Sequence, residues 1–476
     1  MAVLTSCNNK PGSKSKFNSV TADLDSIMTR GRIVAVTDYN SVDYFIYRGE
    51  PMGFNYELLK AFADYLGVDL EIISDNHIDK AMDLLNSGDA DILACGLNIM
   101  SSGSRGIIFT DPVSETRQVL VQRKPYGWRS MKEDAIDRNL LRNNADLAGK
   151  HVYVQANSSF AENLKSLANE TGHNINVVEV PYGPEELIKN VAKGEIDYTV
   201  CDEDIALVNA TYYPDIDISM PVSLMKNVAW GVRKNNSAKL VDEFNHWIGY
   251  YRKTGSYSLL YAKYFRNFRS EPLIKSDYYY ISTGRISRWD GLIRSGSEMI
   301  DWDWRLLASL ICQESRFDPN VVSSMGAYGL MQIMPLTGES FGIDVTSSPS
   351  NNIKAGTLYI NWLKSIFGPM IPDENERIKF ILASYNAGPG HILDAMRLAG
   401  KNGMDPRKWD GSVSIWLLRK ADPRYYNDSV VKNGSFRAEE SLNFVNEVLE
   451  RYEHYRNIVP EDSRLSMASN EEKKDL

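Results

Sequence analysis

Glu314 is the residue of this sequence whose position best suits acid catalysis. The residues three, four and seven places before it are Ile311, Leu310 and Leu307, a spacing that brings side chains onto one face of a helix. A carboxyl held against apolar surface is harder to ionise, so its pKa rises. Such a group stays protonated near neutral pH and can protonate a poor leaving group such as a glycosidic oxygen. Taken alone, this face leaves open the alternative of a solvated glutamate at the end of an amphipathic helix.

Three short motifs begin at this residue and follow in order. They are ESRFDP at 314–319, GAYGLMQIMP at 326–335 and ASYNAGPG at 383–390, with NIKAGTLYI at 352–360 before the last. Their order resembles that of the SLT-type, family 1 lytic transglycosylases, which have a goose-type-lysozyme-like fold. The resemblance implies an all-α domain that acts on the glycan strands of peptidoglycan.

The resemblance also implies a reaction. A lytic transglycosylase cleaves the β-1,4 bond after N-acetylmuramic acid and closes the muramyl 6-hydroxyl onto C1, leaving a 1,6-anhydro end. Most glycosidases use two carboxylates, whereas this family uses one acid helped by the substrate's N-acetyl group. We therefore predict that Glu314 protonates the leaving oxygen and then takes the 6-hydroxyl proton. Asp318 is predicted to be a capping or turn residue because a proline follows it, and Glu339 has no assigned partner.

Four polar residues are placed along the saccharide groove by the same resemblance: Ser315, Gln332, Tyr385 and Asn386. Tyr385 is expected to position the acid or the sugar, and Asn386 to bind the acetamido oxygen. For Ser315 and Gln332 the alternative is a hydrogen bond to the backbone. For Tyr385 it is a place in the core, because this residue continues an apolar helical stripe.

Other residues of these motifs are assigned to structure rather than chemistry. Gly326 and Gly329 are predicted to serve backbone geometry, and Met331 and Met334 to fill the core. Near the C-terminus a segment resembles the family's E-T-x-x-Y-V pattern, with Phe444 where tyrosine is common. No hydroxyl is available there, so this segment is predicted to brace the groove.

The size and composition of the chain set wider bounds. At 476 residues the chain is long for one core, so two or three domains are expected. A formal charge of −9 gives no support for nucleic-acid binding, and no apolar run approaches the ~20 residues that span a membrane. The four cysteines include no CxxC pair, so we predict no metal site, cofactor or disulfide framework. Cys95 and Cys201 are predicted to be buried thiols.

Cys7 has a different context. The sequence LTSC at 4–7 resembles a bacterial lipobox, which implies that Cys7 is lipidated. The protein would then be a periplasmic lipoprotein of the outer membrane, attached to the membrane through this lipid anchor alone. The alternative is an incidental cysteine. The run at 8–18 is rich in Asn, Lys and Ser, as flexible tethers are. Residues 1–29 are therefore predicted to be a lipoprotein-type N-terminus and tether.

From about residue 31, strand and helix patterns alternate. Strands are predicted at 32–37, 70–73, 91–94, 118–122, 151–154, 176–180 and 198–200, and helices at 56–66, 79–85, 160–169 and 184–191. The pattern predicts two α/β lobes, assigned to 30–122 plus 222–272 and to 123–221. Small ligands bind in the cleft that such lobes enclose.

Segments at the lobe edges resemble the family 3 periplasmic solute-binding proteins, which bind polar amino acids. They are GFNYELL at 53–59, GLNIMSSGSR at 96–105 with FTDP soon after, GEIDYTVCD at 194–202 and YAKYF at 261–265. Asn55 stands where this family usually has Asp. The resemblance extends over about 30–270.

This second resemblance implies a ligand site in the cleft. The Arg at the position of Arg105 clamps the ligand α-carboxylate, and the Asp at the position of Asp202 accepts its α-ammonium, as a guanidinium fork and a cleft carboxylate are suited to do. Ser101 and Phe54 are assigned to the same site. The alternative is that Arg105 and Asp202 are ordinary loop charges. The side-chain pocket near 39–45 is left unassigned.

Beyond residue 273 the strand pattern ends. Helices are predicted at 304–313, 352–367, 377–384, 391–398 and 438–454. We therefore expect a multidomain chain: an α/β two-lobed periplasmic-binding-protein-like domain at 30–272, an all-α lysozyme-like domain at 273–460 and a disordered tail at 461–476.

The function predicted from both resemblances is a peptidoglycan lytic transglycosylase whose N-terminal domain binds an amino acid, or a muropeptide-derived ligand, as a regulator. Its expected partners are glycan strands and that small ligand. Two alternatives stay open: a cell-wall-anchored solute sensor with an inactive SLT domain, and a hydrolytic muramidase.

Overall fold

The computed structural model of the chain describes residues 23–47, 49–95, 106–172, 174–265 and 285–459. Cys7, Ser101, Arg105 and the tail predicted at 461–476 lie outside these residues. The described chain forms an α/β part followed by a helical part, and each part has its own apolar core. The predicted fold class is confirmed.

The described residues form fourteen strands, β1 to β14 in chain order: Arg32–Thr37, Phe45–Tyr47, Glu50–Met52, Asp69–Ser74, Ile92–Ala94, Ile107–Phe109, Ser114–Thr116, Gln118–Arg123, His151–Gln155, Asn176–Val180, Tyr198–Asp202, Ile216–Pro221, Lys226–Val228 and Gly231–Arg233.

They also form eighteen α-helices, α1 to α18 in chain order: Leu24–Arg30, Phe54–Leu66, Ile78–Ser87, Glu133–Asp137, Ser159–Thr171, Pro184–Lys193, Glu203–Tyr212, Ala238–Tyr251, Gly255–Phe265, Asp290–Glu298, Trp304–Ser315, Pro335–Ser340, Pro349–Phe367, Glu374–Ala387, Pro389–Lys401, Ser414–Arg419, Pro423–Tyr426 and Glu439–Ile458. Short non-α turns lie at Trp128–Ser130, Asn144–Leu147 and Trp409–Val413.

Two five-stranded sheets form the two lobes of the α/β domain. Their strand orders are β4-β1-β5-β14-β6 and β10-β9-β11-β8-β12. In the first sheet β1 runs parallel to β4, with Ala35 opposite Ile72. Strand β8 runs antiparallel to both β11 and β12, so it belongs entirely to the second sheet. The chain therefore leaves the first lobe before residue 118, earlier than the boundary at 122 expected from the sequence.

A short helix stands where the sequence predicted the end of a flexible tether. The Asp23 side chain accepts a hydrogen bond from the Leu24 N–H at 2.8 Å, and Gly31 ends α1 with a φ of 72°. Ile27 is fully buried in the core of the α/β domain. Because this segment has caps at both ends and a buried anchor, the prediction of a tether through residue 29 was wrong for residues 23–29.

The helical domain, residues 285–459, is built around α11. The Asp303 side chain accepts from the Arg305 N–H at 2.9 Å and starts this helix. Helix α11 packs between α10 and α18, and its apolar residues after Trp304 are buried. The five helices predicted here are present as α11, α13, α14, α15 and α18. Each is longer than predicted because terminal turns carry little periodicity.

Candidate active site

Glu314 lies in the last turn of α11. The three aliphatic residues predicted to share its face, Leu307, Leu310 and Ile311, are fully buried. Burial raises the pKa of Glu314 from 4.5 to about 8. Among the described residues, no hydrogen bond or neighbouring charge contributes to that shift. The carboxyl is therefore largely protonated at neutral pH, as a general acid requires.

The chain reverses direction directly after this residue. Arg316 and Phe317 have φ values of 49° and 62°, a left-handed conformation that costs roughly 1–3 kcal/mol for residues other than glycine. Phe317 is fully buried, and its carbonyl accepts from Trp289 Nε1 at 3.0 Å. These contacts hold the turn in place. They end the helix so that Glu314 stays in its final turn.

Ser315 ties the end of α11 to the following loop. Its side chain is buried, and its hydroxyl lies 2.8 Å from the carbonyl oxygen of Leu330 and 3.1 Å from that of Ile311. The backbone contact that the sequence left open as the alternative is thus present. The contact fixes the loop against the helix that carries the acid.

Gln332 belongs to that loop. Its amide Nε2 donates to the carbonyls of Val321 at 3.0 Å and Gly329 at 2.9 Å, so its donor end is used to hold the loop. Gly329 has a φ of 79°, and a Cβ there would lie 2.5 Å from Asn352 Nδ2. Asn352 in turn accepts from the Met331 N–H at 2.8 Å. The predicted backbone role of Gly329 is confirmed by this close approach.

Three residues that the sequence analysis assigned to structural roles differ in burial. Met331 is fully buried, as predicted. Met334 is 38% exposed, so its prediction as core was wrong, because it precedes Pro335 at the start of a surface helix. Phe444 is buried in the domain core, which suits a bracing segment.

Helix α14 carries Tyr385 and Asn386 in its last turn. The Tyr385 hydroxyl donates to the Met331 carbonyl at 2.7 Å. Burial raises the pKa of Tyr385 well above its usual range, and the Glu314 carboxyl is the next cause, so the two groups are close. Asn386 is exposed, and its Oδ1 accepts from the Ser441 hydroxyl at 2.5 Å. This bond turns the amide N–H groups of Asn386 toward other acceptors.

An aromatic row that the sequence analysis did not assign continues from Tyr385. The ring of Tyr359 lies 5.4 Å from that of Tyr385 and 5.5 Å from that of Trp362, with an angle of 20° to the latter. Trp362 is 44% exposed. The two residues are three apart on α13, so helical spacing puts them on one face. An exposed indole at the end of an aromatic row that leads from Tyr385 is a surface on which a sugar ring can pack.

The two other carboxylates considered from the sequence lie at the surface. Asp318 is exposed and accepts from the Asn320 N–H at 2.9 Å, which confirms its prediction as a turn residue. Glu339 is exposed on α12. Neither contributes to the pKa shift of Glu314. Within the described ranges no second carboxyl acts on Glu314, so the geometry is that of a site with one acid.

A second candidate site lies between the lobes of the α/β domain. A cavity of about 240 Å³ is lined from both lobes. Asp202, at the start of α7 and assigned from the sequence to the ligand site, is among its lining residues. Burial raises the pKa of Asp202 well above its usual range, followed by the charges of Asp204 and Asp38, while Lys226 acts in the opposite direction.

The segment left unassigned at 39–45 supplies a further carboxylate to this cavity. Asp43 accepts from Asn40 Nδ2 at 2.7 Å and from Asn55 Nδ2 at 2.8 Å. The Asn55 Oδ1 accepts from Trp230 Nε1 at 3.1 Å. An aspartate at position 55 would set a second carboxylate against Asp43. The departure from the family pattern is therefore explained by its neighbour.

Phe54 does not line the cavity in the described part of the chain. It is 1% exposed in the core, where its ring lies 4.7 Å from that of Phe265 and 6.3 Å from that of Tyr261. The structure thus corrects its assignment to the ligand site, because the first residue of α2 packs inward onto α9. Cys95 and Cys201 are free and buried, as predicted.

Comparisons with known proteins agree with this architecture. Residues 32–267 match the bacterial extracellular solute-binding proteins, family 3, and residues 291–407 match the transglycosylase SLT domain. The chain is thus a lytic transglycosylase with an N-terminal solute-binding domain.

More specifically, the chain belongs to the membrane-bound lytic murein transglycosylase F family. A protein of that name from Desulfosudis oleivorans is 34% identical over 431 residues, covering 90% of each chain. Another from Aeromonas salmonicida is 29% identical over 92% of this chain and 84% of its own. Among solved structures, a mutant of ArgBP from T. maritima is 25% identical over 51% of this chain and 98% of its own, with a TM-score of 0.44.

The relatives are named membrane-bound. In the part of the chain that the structure describes, no helix has both the length and the apolar character needed to cross a membrane.

Proposed function

We propose that this protein cleaves the glycan strands of peptidoglycan without consuming water, with Glu314 as acid and then as base. The observation that supports this most strongly is the half-buried carboxyl at the end of α11, whose pKa is raised by burial to about 8. A glutamic acid with an ordinary pKa would be almost fully ionised at neutral pH and could not donate a proton.

In the first step the Glu314 carboxyl gives its proton to the glycosidic oxygen as the bond from that oxygen to C1 breaks. The substrate's own N-acetyl oxygen bonds to C1 in its place. In the second step the Glu314 carboxylate takes the proton of the muramyl 6-hydroxyl, whose oxygen bonds to C1 and displaces the acetamido oxygen. The acid is then protonated again, and the product ends in a 1,6-anhydro ring. Burial serves both steps, since a poorly solvated carboxylate is also a better base.

Three groups are suited to hold the sugar beside this acid. The Asn386 N–H groups can donate to the acetamido oxygen, because Ser441 holds the amide oxygen. Trp362 and Tyr359 offer an aromatic surface to a sugar ring. Gln332 keeps its amide oxygen available within the described structure, since its N–H groups bond to the loop. For Ser315 and Tyr385, which bond to backbone carbonyls, we propose that contact with the sugar is secondary to holding the loop.

The test is mass spectrometry of the muropeptides released from purified peptidoglycan. The expected products carry 1,6-anhydro ends, and Glu314→Gln should abolish them. Asp318→Asn is the matched control, since it neutralises an exposed carboxylate on the next turn of chain. Hydrated reducing ends would instead indicate a muramidase, and the absence of products from the wild type would indicate a binding protein. Full activity of Glu314→Gln would overturn the assignment of the acid.

We further propose that the α/β domain binds an amino acid or a stem-peptide fragment and thereby regulates cleavage. The cavity between the lobes carries Asp202 and Asp43, which suit the ammonium group of such a ligand. Arg105, outside the described residues, is proposed to clamp its carboxylate, and Ser101 to belong to the same site. Cleavage rates with and without a saturating synthetic stem peptide test this idea. Equal rates, with binding shown by calorimetry, would remove it.

Membrane attachment is proposed to occur through a lipid on Cys7, in the periplasmic leaflet of the outer membrane. The support is the lipobox-like LTSC sequence and the name of the relatives. Expression of the natural precursor followed by mass spectrometry of the mature N-terminus tests this. A mature chain that retains unmodified Cys7 would contradict it.

A further inference from the structure

The β2–β3 hairpin of the solute-binding domain reaches into the catalytic domain. Adjacent residues of a strand point to opposite sides, and here they enter different cores. Phe45 is buried in the core of the α/β domain, and Ile46 is buried in the core of the catalytic domain. The hairpin is therefore shared by the two domains.

The tip of this hairpin lies against the turn that carries Glu314. Gly49 has a φ of 83°, and a Cβ there would lie 2.3 Å from Cys312 Sγ and 2.8 Å from a ring carbon of Phe317. The Gly49 carbonyl accepts from the Tyr455 hydroxyl at 2.8 Å. Since Cys312 precedes the acid and Phe317 follows it, the tip touches both sides of the turn that holds it.

Glu50 adds a charged contact at the same place. Its carboxylate accepts from Arg451 Nη2 at 2.9 and 3.2 Å, and the Arg451 side chain is only 7% exposed. The other end of this guanidinium, Nη1, donates to Gln313 Oε1 at 3.0 Å. Gln313 is the residue directly before the acid, and its Nε2 donates to Glu447 at 2.7 Å. A continuous set of polar contacts thus runs from the binding domain to the last turn of α11.

Two more hydrogen bonds extend this interface along α18. The Tyr44 hydroxyl lies 2.8 Å from His454 Nδ1, and Asn457 donates to the Ile72 carbonyl at 2.5 Å. The hairpin contact is therefore one part of a broader fixed surface. Among these contacts, only those of the β2–β3 hairpin involve the turn that carries Glu314.

We propose that Glu50, a residue of the solute-binding domain, is a positioning residue for the catalytic acid. Its carboxylate holds Arg451, and Arg451 holds Gln313 in the turn that presents Glu314. Without Glu50, a buried guanidinium loses its only charged partner among the described residues, and it must take up water or move to another acceptor. Either change displaces or wets the last turn of α11. This inference rests on the proposed role of Glu314 and adds a group from outside the catalytic domain.

Glu50→Ala and Glu50→Gln in the full-length protein test the proposal. We expect Glu50→Ala to lower kcat by about tenfold to a hundredfold, with KM nearly unchanged because the residues proposed to hold the sugar are not altered. Its alkaline limit of activity should move to lower pH, since water beside Glu314 lowers the pKa of that carboxyl. Glu50→Gln keeps an acceptor oxygen and should show a smaller loss. Glu179→Ala is the control, because it removes the ion pair with Lys165 in the second lobe.

A purely structural role for Glu50 would leave kcat and the alkaline limit unchanged in whichever of the two variants folds, and that result would overturn the proposal. An equal loss in Glu179→Ala would do the same. The proposed function fails separately, if the wild type releases no anhydro products. In that case the pH dependence of thermal unfolding still tests whether Glu50 positions Glu314, because it reports the ionisation of Glu314 without substrate. Glu50→Ala should then reduce the stability gained by adding Glu314→Gln at pH 7 to 8, and an unreduced gain would refute the coupling.

Discussion

Replacement of Glu314 by glutamine should stabilise the protein at neutral pH while abolishing its activity. In the folded chain the pKa of this carboxyl is about 8, raised from 4.5 by burial. Between these two values the folded state binds a proton that the unfolded state has lost. The free energy of unfolding of the wild type must therefore fall as pH rises through this window. Glutamine has the same shape and no ionisation, so the variant escapes that loss.

The size of the effect follows from the pKa difference. Each pH unit inside the window changes the free energy of unfolding by about 1.4 kcal/mol. The variant should thus gain nothing relative to the wild type near pH 4.5, about 3 kcal/mol at pH 7 and a maximum of about 5 kcal/mol above pH 8. For a domain of this size, the gain at pH 7 corresponds to a rise in Tm of roughly 6–12 °C.

Differential scanning calorimetry of both full-length proteins at several pH values between 4.5 and 8.5 measures this difference. The transition of the catalytic domain should move apart in the two proteins as pH rises. Asp318→Asn is the control, because Asp318 is exposed and its replacement should give no such divergence. A constant difference in Tm between wild type and Glu314→Gln across this range would refute the conclusion that the folded protein keeps this carboxyl protonated.

Three further substitutions test the site. Tyr385→Phe removes the hydroxyl that donates to the Met331 carbonyl at 2.7 Å. It should lower the free energy of unfolding by about 1 kcal/mol in a denaturant titration and lower kcat in a muropeptide assay. An unchanged kcat would argue against a role beside the acid. Ser441→Ala frees the Asn386 amide to rotate and should raise KM for glycan strands several-fold with little change in kcat; an unchanged KM would contradict the binding role of Asn386. Asp202→Asn should weaken binding of a stem peptide by about tenfold or more in calorimetry without changing basal cleavage, and unaltered affinity would remove Asp202 from the ligand site.

Several features of the fold follow from local sequence patterns. Alternating apolar residues predicted β1 at 32–37 and the strand at 176–180 with the bounds that the structure has. Helical spacing of aliphatic residues likewise predicted the buried face of α11 beneath Glu314. These patterns are readable because each depends on residues within a few positions of one another.

The wrong prediction at 23–29 shows that local patterns do not identify every element. A seven-residue stretch containing Leu24 and Ile27 has too little periodicity to indicate a helix. Its caps, Asp23 and Gly31, become informative only when Ile27 is seen to enter the core. The assignment of Phe54 to the ligand site was wrong for a different reason. The position of a residue in a motif does not indicate the direction in which its side chain points.

The sequence by itself determined the apolar face that raises the pKa of Glu314, because that face depends on spacing within two helical turns. The order of the domains and the identity of the candidate acid came from short motifs in a fixed order that resemble two known families. Only the tertiary structure decided which distant residues complete the site. Tyr385 reaches the loop that follows the acid, Asp43 faces the ligand cavity, and Glu50 meets Arg451 from the other end of the chain. Contacts of this kind arise from packing of whole domains, for which no local pattern of residue types carries a signal.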